Sequence, residues 1–161
     1  MAESQTQGNG AAAAPAQLVV QKIYVKDASF EAPGAPAIFQ EQAQPQVQLN
    51  LSQKVANFSE GLYEVVLTVT VTCKINDKTA YLAEVQQAGV FGMSGFQQQE
   101  LQGVLATYCP HTLYPYARAV ISDMVMSGGF PPFLLQPINF EQLYAEQMRR
   151  RAEGAPAVAN A

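Results

Sequence analysis

Along L-Y-E-V-V-L-T-V-T-V-T-C-K-I, residues 62–75, apolar and polar positions alternate with a period of two. Tyr63, Val65, Leu67, Val69, Val71, Cys73 and Ile75 form one set. Glu64, Thr68, Thr70, Thr72 and Lys74 form the other, with Val66 the one exception. Successive strand side chains point to opposite faces, so this pattern predicts an antiparallel strand with one wet face. N-D-K then predicts a tight turn into a partner strand, T-A-Y-L-A-E-V-Q-Q, residues 79–87. Parity selects the loop. A two-residue loop pairs Val71 with Leu82, whereas a three-residue loop at 76–78 pairs Ile75 with Thr79, Cys73 with Tyr81, Val71 with Ala83 and Val69 with Val85. A one-residue slip would turn the whole apolar set to the wrong side. The three-residue loop is therefore expected, leaving Leu82, Glu84 and Gln86 on the polar face beside the threonines.

The remaining elements follow from the same reading. L-V-V-Q-K-I-Y-V, residues 18–25, is a β-rich run, and the segment after it, with Pro33 and Pro36, is expected to be a crossover loop. Asp27 and Glu31 fall in that loop. Residues 46–52 alternate as a short half-buried strand, with Val47, Leu49 and Leu51 inward. From residue 97 the period becomes helical. A short helix over 97–108 ends at Pro110, a longer one begins near Pro110 or Pro115 and runs to Met126, and Gly128–Gly129 stops it. After the apolar loop 130–138, Asn139 is placed to cap a last helix, with Gln142 as its capping-box partner. Strands first and helices afterwards predict an α+β fold: a four-stranded antiparallel sheet with helices packed on one face. One domain is expected over 17–152, flanked by disordered tails at 1–16 and 153–161 that are poor in periodicity.

Composition narrows the function classes. The chain has 161 residues, 48% hydrophobic and only 14% charged, with a formal net charge of −4. An acidic balance argues against nucleic-acid binding, which calls for a basic face. Sparse charge beside ordinary hydrophobicity suggests apolar surface covered by other subunits or by a ligand. The opening residues lack a signal-peptide core, and no apolar run approaches the roughly 18 residues that span a bilayer. A cytoplasmic protein with reduced thiols is expected.

Candidate chemistry is thin. The chain has one histidine and two cysteines. His111, in C-P-H, lacks nearby carboxylates for a metal site and reads as a helix-start residue. Cys109 has no basic neighbour to activate it, and Cys73 belongs to the apolar strand face. G-V-F-G-M-S-G, residues 89–95, fits neither a phosphate loop nor a dinucleotide fingerprint, and reads as a bend leaving the sheet. Arg149, Arg150 and Arg151 complement the dipole at a helix C-terminus. Asp27 and Glu31 have no nucleophile, base or oxyanion donor beside them. The residues point to a docking surface rather than an enzyme.

Five segments together carry a family resemblance: I-Y-V-K-D-A-S-F-E-A-P-G-A-P, Y-E-V-V-L-T-V-T-V-T, A-E-V-Q-Q-A-G-V-F, Y-C-P-H-T-L-Y-P-Y-A-R and G-F-P-P-F-L-L-Q-P-I-N-F. In this order, over about residues 18–150, the chain resembles the SecB family of bacterial protein-export chaperones. The resemblance implies an ATP-independent holdase, a homotetramer built as a dimer of dimers, that keeps precursor proteins unfolded and delivers them to the ATPase SecA. It implies no cofactor, since the zinc in that partnership belongs to SecA, and neither nucleic-acid binding nor membrane insertion. It assigns Asp27, Glu31, Leu82 and Glu84 to SecA binding, and Tyr81, Ala83, Val85 and Gln87 to tetramer assembly or to the intramolecular core. It places a client groove among Phe30, Ile38, Phe39, Val47, Leu49, Phe130, Phe133, Leu134, Leu135, Phe140, Leu143 and Tyr144, some of them groove lining and some core. Two departures stand out: Ala43 lies where many members have tryptophan, and the C-terminal tail is less acidic than is common. The competing reading is a SecB-like chaperone dedicated to one client, such as a toxin–antitoxin pair.

Overall fold

A computed structural model describes residues 14–154. It contains β1 (Gln17–Glu31), β2 (Gln46–Ser59), β3 (Leu62–Ile75), β4 (Lys78–Ser94), α1 (Gln98–Ala106), α2 (Tyr108–Ser127) and α3 (Phe140–Gly154), with a 3-10 turn at Ala37–Gln40. The strands form one antiparallel sheet in the order β1-β4-β3-β2. The expected tails lie mostly outside the described residues; where they overlap, Glu153 and Gly154 continue α3.

The inner face of β3 and β4 meets the helices. Val65, Leu67, Val69, Val71, Cys73, Tyr81, Ala83 and Val85 share one buried cluster with Cys109, Leu113, Ala117, Ile121 and Val125 of α2. These α2 residues recur every four positions, the stripe of a helix lying on a sheet. Gly89 is one point of close approach, because a Cβ there would come 3.0 Å from Leu113 Cδ2.

Four expectations need correction. The hairpin loop has two residues: Ile75 pairs with Lys78. Asn76 and Asp77 both take left-handed φ, +51° and +59°, the backbone of a tight turn whose twist suits the strands it joins. A bulge at Ala80 then restores the expected apolar register, Cys73 with Tyr81, Val71 with Ala83 and Val69 with Val85. β1 continues to Glu31, so Asp27 and Glu31 stand in a strand rather than in a loop. β4 runs through Gly89 and Gly92, and the bend comes only at Gly95, φ +75°. α2 starts ahead of Pro110 and carries Pro115 inside it. Proline in the first turn forfeits no helical hydrogen bond, whereas Pro115 leaves the carbonyl of His111 without its usual donor. Asn139 caps α3 as expected, its Oδ1 accepting from the Gln142 N–H at 3.0 Å.

Side chains fix the irregular segments. Glu41 accepts from Asn76 Nδ2 at 2.7 Å and from Lys78 Nζ at 2.8 Å, tying the crossover to the β3–β4 turn. These donors hold the Glu41 carboxyl below its ordinary range, the Lys78 bond first. The loop after α2 is fastened where Tyr114 donates to the Gln136 carbonyl at 2.6 Å and Ser122 to the Phe133 carbonyl at 3.2 Å.

Candidate docking face and apolar groove

Register places the outer-face side chains in rows running across the sheet. Asp27, Gln86, Thr68 and Ser52 form one row; Ser29, Glu84, Thr70 and Asn50 the next; Glu31, Leu82, Thr72 and Gln48 the third. All twelve are exposed or half-buried. The four residues expected to dock a partner are thus together: Asp27 and Glu31 two rows apart on β1, with Leu82 and Glu84 beside them on β4. Thr70 Oγ1 donates to Glu84 Oε2 at 2.8 Å and orients that carboxylate. The ion pairs among the described residues are Lys26–Glu64, Lys78–Glu41 and Arg150–Glu146. None of them involves Asp27, Glu31 or Glu84, so the three acids present uncompensated negative charge around an apolar contact at Leu82.

Asp27 reaches this face through a bulge. Tyr24 pairs with Ala88 and Val25 with Gln87, but Asp27 pairs with Gln86, leaving Lys26 as the extra residue. An extra residue reverses the alternation beyond it. Tyr24 and Asp27, three apart, therefore share the outer side, while Ala28 and Phe30 turn inward. On the outer face Glu64 accepts from Tyr24 Oη and from Lys26 Nζ. From inside, Gln87 Nε2 donates to the Tyr24 carbonyl at 3.1 Å. The bonds from Lys26 and Tyr24 hold the Glu64 carboxyl below its ordinary range, and burial followed by the Glu64 bond pushes the Tyr24 phenol up to about 12.

The apolar residues expected in a client groove separate into four groups. Phe30, Phe39, Tyr81 and Phe130 form an aromatic cluster: Tyr81 and Phe130 lie 4.9 Å apart centre to centre, Phe39 and Phe130 5.1 Å, and Phe30 stacks on Tyr81 at 5.9 Å. Leu49, Phe140, Leu143 and Tyr144 line a groove of about 800 Å³ between β2 and α3, together with Leu51, Val55 and Met148. Ile38, Leu135, Phe130 and Phe140 are buried, so the first two act as core, Phe130 belongs to the aromatic cluster, and Phe140 shows the groove only an edge. Leu134 is exposed on the loop after α2, Phe133 is half-buried there, and Val47 is exposed on β2. Leu51, Val55 and Met148 were absent from the expected set. The inward parity of Leu51 and the one-turn spacing of Tyr144 and Met148 on α3 were the signals for two of them.

Tyr81, Ala83, Val85 and Gln87 lie inside this chain's own core, Ala83 and Val85 with no exposed surface. Tyr81, Ala83 and Val85 share the buried cluster with α2. Burial pushes the Cys109 thiol up to about 12 and raises Cys73 as well, so neither is an activated nucleophile. Among the described residues no group of three or more His, Cys, Asp or Glu is placed to hold a metal ion, and no helix is long and apolar enough to cross a membrane.

Residues 11–151 match the family described as Preprotein translocase subunit SecB. The Protein-export protein SecB of Xanthomonas campestris pv. campestris is 55% identical over 150 residues, 93% of this chain and 88% of that protein. The protein of the same name from Stenotrophomonas maltophilia is 53% identical over 165 residues, 99% of this chain and 96% of that one. Among solved structures, a Mycobacterium tuberculosis SecB-like chaperone in complex with a ChAD peptide from the HigA1 antitoxin matches with a TM-score of 0.64 at 18% identity, covering 76% of this chain and 91% of that one. That likeness speaks to the fold alone, but relatives more than half identical over nearly the whole length speak to descent: the chain belongs to the SecB family of protein-export chaperones.

Proposed function

We propose that this protein holds unfolded precursor polypeptides without nucleotide and passes them to SecA in the cytoplasm. The observation that carries the reading is the separation of two surfaces. The acids stand on β1 and β4, and the groove opens along the β2 edge of the sheet against α3, where Leu49, Leu51, Leu143 and Met148 lie beside polar Asn50, Ser52, Glu146 and Arg150. A motor protein with a basic docking segment and a client chain then bind at once without competing. Asp27, Glu31 and Glu84 steer the basic partner, because complementary charge raises the encounter rate, and Leu82 supplies the apolar contact. Client segments enter the groove through Leu49, Leu51, Leu143 and Met148. Each contact is weak, and several grooves on one assembly convert weak binding into tight capture through effective concentration.

The assembly in this reading is a homotetramer, a dimer of dimers. Its support is apolar surface left on α2, where Tyr116 and Met126 remain about half exposed, at 51% and 48%. The decisive experiment is light scattering of an aggregating unfolded protein with and without this chain, no nucleotide added, followed by titration of the loaded complex with SecA. Suppressed aggregation and formation of a ternary complex support the reading, whereas SecA displacing the client at the same site overturns it. A chaperone dedicated to one client would instead protect a single antitoxin-like partner and leave unrelated unfolded proteins to aggregate.

A further inference from the structure

We propose that Arg151 makes the groove between β2 and α3 selective for apolar client segments flanked by acidic residues, its guanidinium receiving a client carboxylate. This role rests on the client reading of the groove given above, and adds to it the class of segment that fits.

Arg151 stands on the groove face of α3. Phe140, Leu143, Tyr144, Gln147 and Met148 line the groove, and Arg151 lines it with them. Steps of three, four, seven and eight residues from Phe140 mark one helix face, and Arg151, eleven residues on, is the next position in that series. At 3.6 residues per turn, its direction around the axis falls within about 20° of that of Phe140. The stripe that offers Leu143 and Met148 to a client thus ends in a cation where the period would place another apolar side chain. The helix dipole favours arginines in the last turn, but it acts alike on Arg149, Arg150 and Arg151 and does not choose a face. Arg149 lies about 200° round the axis from Arg151, away from the groove.

The charged residues lining the groove are Glu146, Arg150 and Arg151. Glu146 accepts from Arg150 Nη2 at 2.5 Å, one turn along the helix, so these two charges answer each other. Arg151 joins none of the ion pairs among the described residues, and it is exposed. The groove therefore carries one uncompensated positive charge toward the C-terminal end of α3. A guanidinium stays protonated and presents a planar fork of donors that matches a carboxylate.

The spacing follows from the helix. Leu143 and Arg151 are eight residues apart, about 12 Å along the axis. An extended client advances about 3.3 Å per residue. A client side chain seated at Leu143 therefore has its acidic residue three or four positions away.

The test measures, by fluorescence anisotropy at low and high salt, binding of two labelled synthetic peptides to the full chain. Both share one central apolar segment. One carries aspartates three and four residues from the centre on each side, and the other carries asparagines at the same places. The net charge of −4 on the chain repels the aspartate peptide if only the overall field matters. Wild type should nevertheless bind it at least about threefold more tightly, the size of one exposed charge pair, with the ratio approaching one at high salt. Arg151→Gln should abolish the preference and Arg151→Glu should reverse it. Arg149→Gln removes the same charge from the other side of α3 and should leave the ratio at its wild-type value. Equal or tighter binding of the asparagine peptide to wild type overturns the proposal, as does a ratio that Arg149→Gln and Arg151→Gln lower alike. Leu143→Ser with Met148→Ser tests the groove itself: if both peptides bind that variant as tightly as wild type, the client reading falls and the selectivity falls with it. If both bind it weakly yet Arg151→Gln leaves the ratio unchanged, the groove stands and the role of Arg151 is overturned.

Discussion

Ala83 and Glu84 are neighbours in β4 and face opposite worlds. Ala83 is fully buried under α2, opposite Val71 on one side and Phe30 on the other. Glu84 stands on the outer face with its carboxylate held by Thr70. The two-fold alternation of a strand separates the surface offered to a partner from the core that supports it. A residue's effect on partner binding and its effect on folding are therefore separable along β4, position by position.

Asp27→Lys combined with Glu84→Lys should weaken SecA binding by at least about tenfold, chiefly by slowing association and reversing its salt dependence. Both residues lie outside the core, so aggregation suppression should persist. Surface plasmon resonance at two ionic strengths, beside light scattering, checks this. Loss of both activities together would indicate a folding defect instead.

Leu143→Ser with Met148→Ser should lower client capture while leaving the melting temperature nearly unchanged. Both side chains are 45% exposed in the groove, and exposed substitutions usually stay within about 0.5 kcal/mol of neutral. Undiminished aggregation suppression in this double variant would remove the α3 wall from the client site.

Val85→Lys should damage the fold before it alters any assembly. An unpaired charge in a fully buried position costs on the order of several kcal/mol, and Val85 has no exposed surface. Urea denaturation should show a large loss of stability. A cleanly folded dimer in sedimentation, with unchanged denaturation midpoint, would contradict the placement of Val85 inside the chain.

Gly128→Ala should destabilise the protein by about 1–3 kcal/mol, the usual cost of overpacking. A Cβ at Gly128 would come 2.1 Å from the Phe30 ring, where α2 ends against β1. The effect should shrink in a Phe30→Leu background, a coupling that a double-mutant cycle measures directly.

Tyr24 and Tyr81 should be late-titrating phenols, each pushed up to about 12, burial being the first cause in both. A raised phenol favours the neutral form in the folded state. Its contribution is complete below the ordinary value near 10, and is lost as pH rises from there through about 12. Absorbance at the phenolate band should show a late-ionising fraction that includes these two. Tyr24→Phe should remove one late step.

Much of this architecture was legible because β3 is an amphipathic strand of unusual regularity. Its alternation identified the inner face, and pairing apolar with apolar identified the partners Ala83 and Val85. Glu84 and Leu82 were then outward by elimination, before any coordinates. The same parity argument misjudged the turn itself. It assumed an unbroken ladder, whereas a two-residue turn followed by a bulge at Ala80 yields the same alignment from Cys73 onward. β1 resisted reading for a related reason: the bulge at Lys26 breaks its alternation, so a continuous strand imitates a strand followed by a loop. Pro110 and Pro115 concealed the start of α2, since packing on the sheet outweighs one forfeited backbone hydrogen bond.

The sequence alone determined the fold class, the polarity of the central hairpin and the family, because these depend on local periodicity and on residue order. The tertiary structure decided which apolar residues are buried and which remain open, since Ile38 and Leu49 look alike until neighbours are known. It also decided that Asp27 and Glu31 share a face with Glu84. That alignment depends on the bulge at Lys26 in the pairing of β1 with β4, and pairing between strands so distant in sequence leaves no periodic trace in either partner.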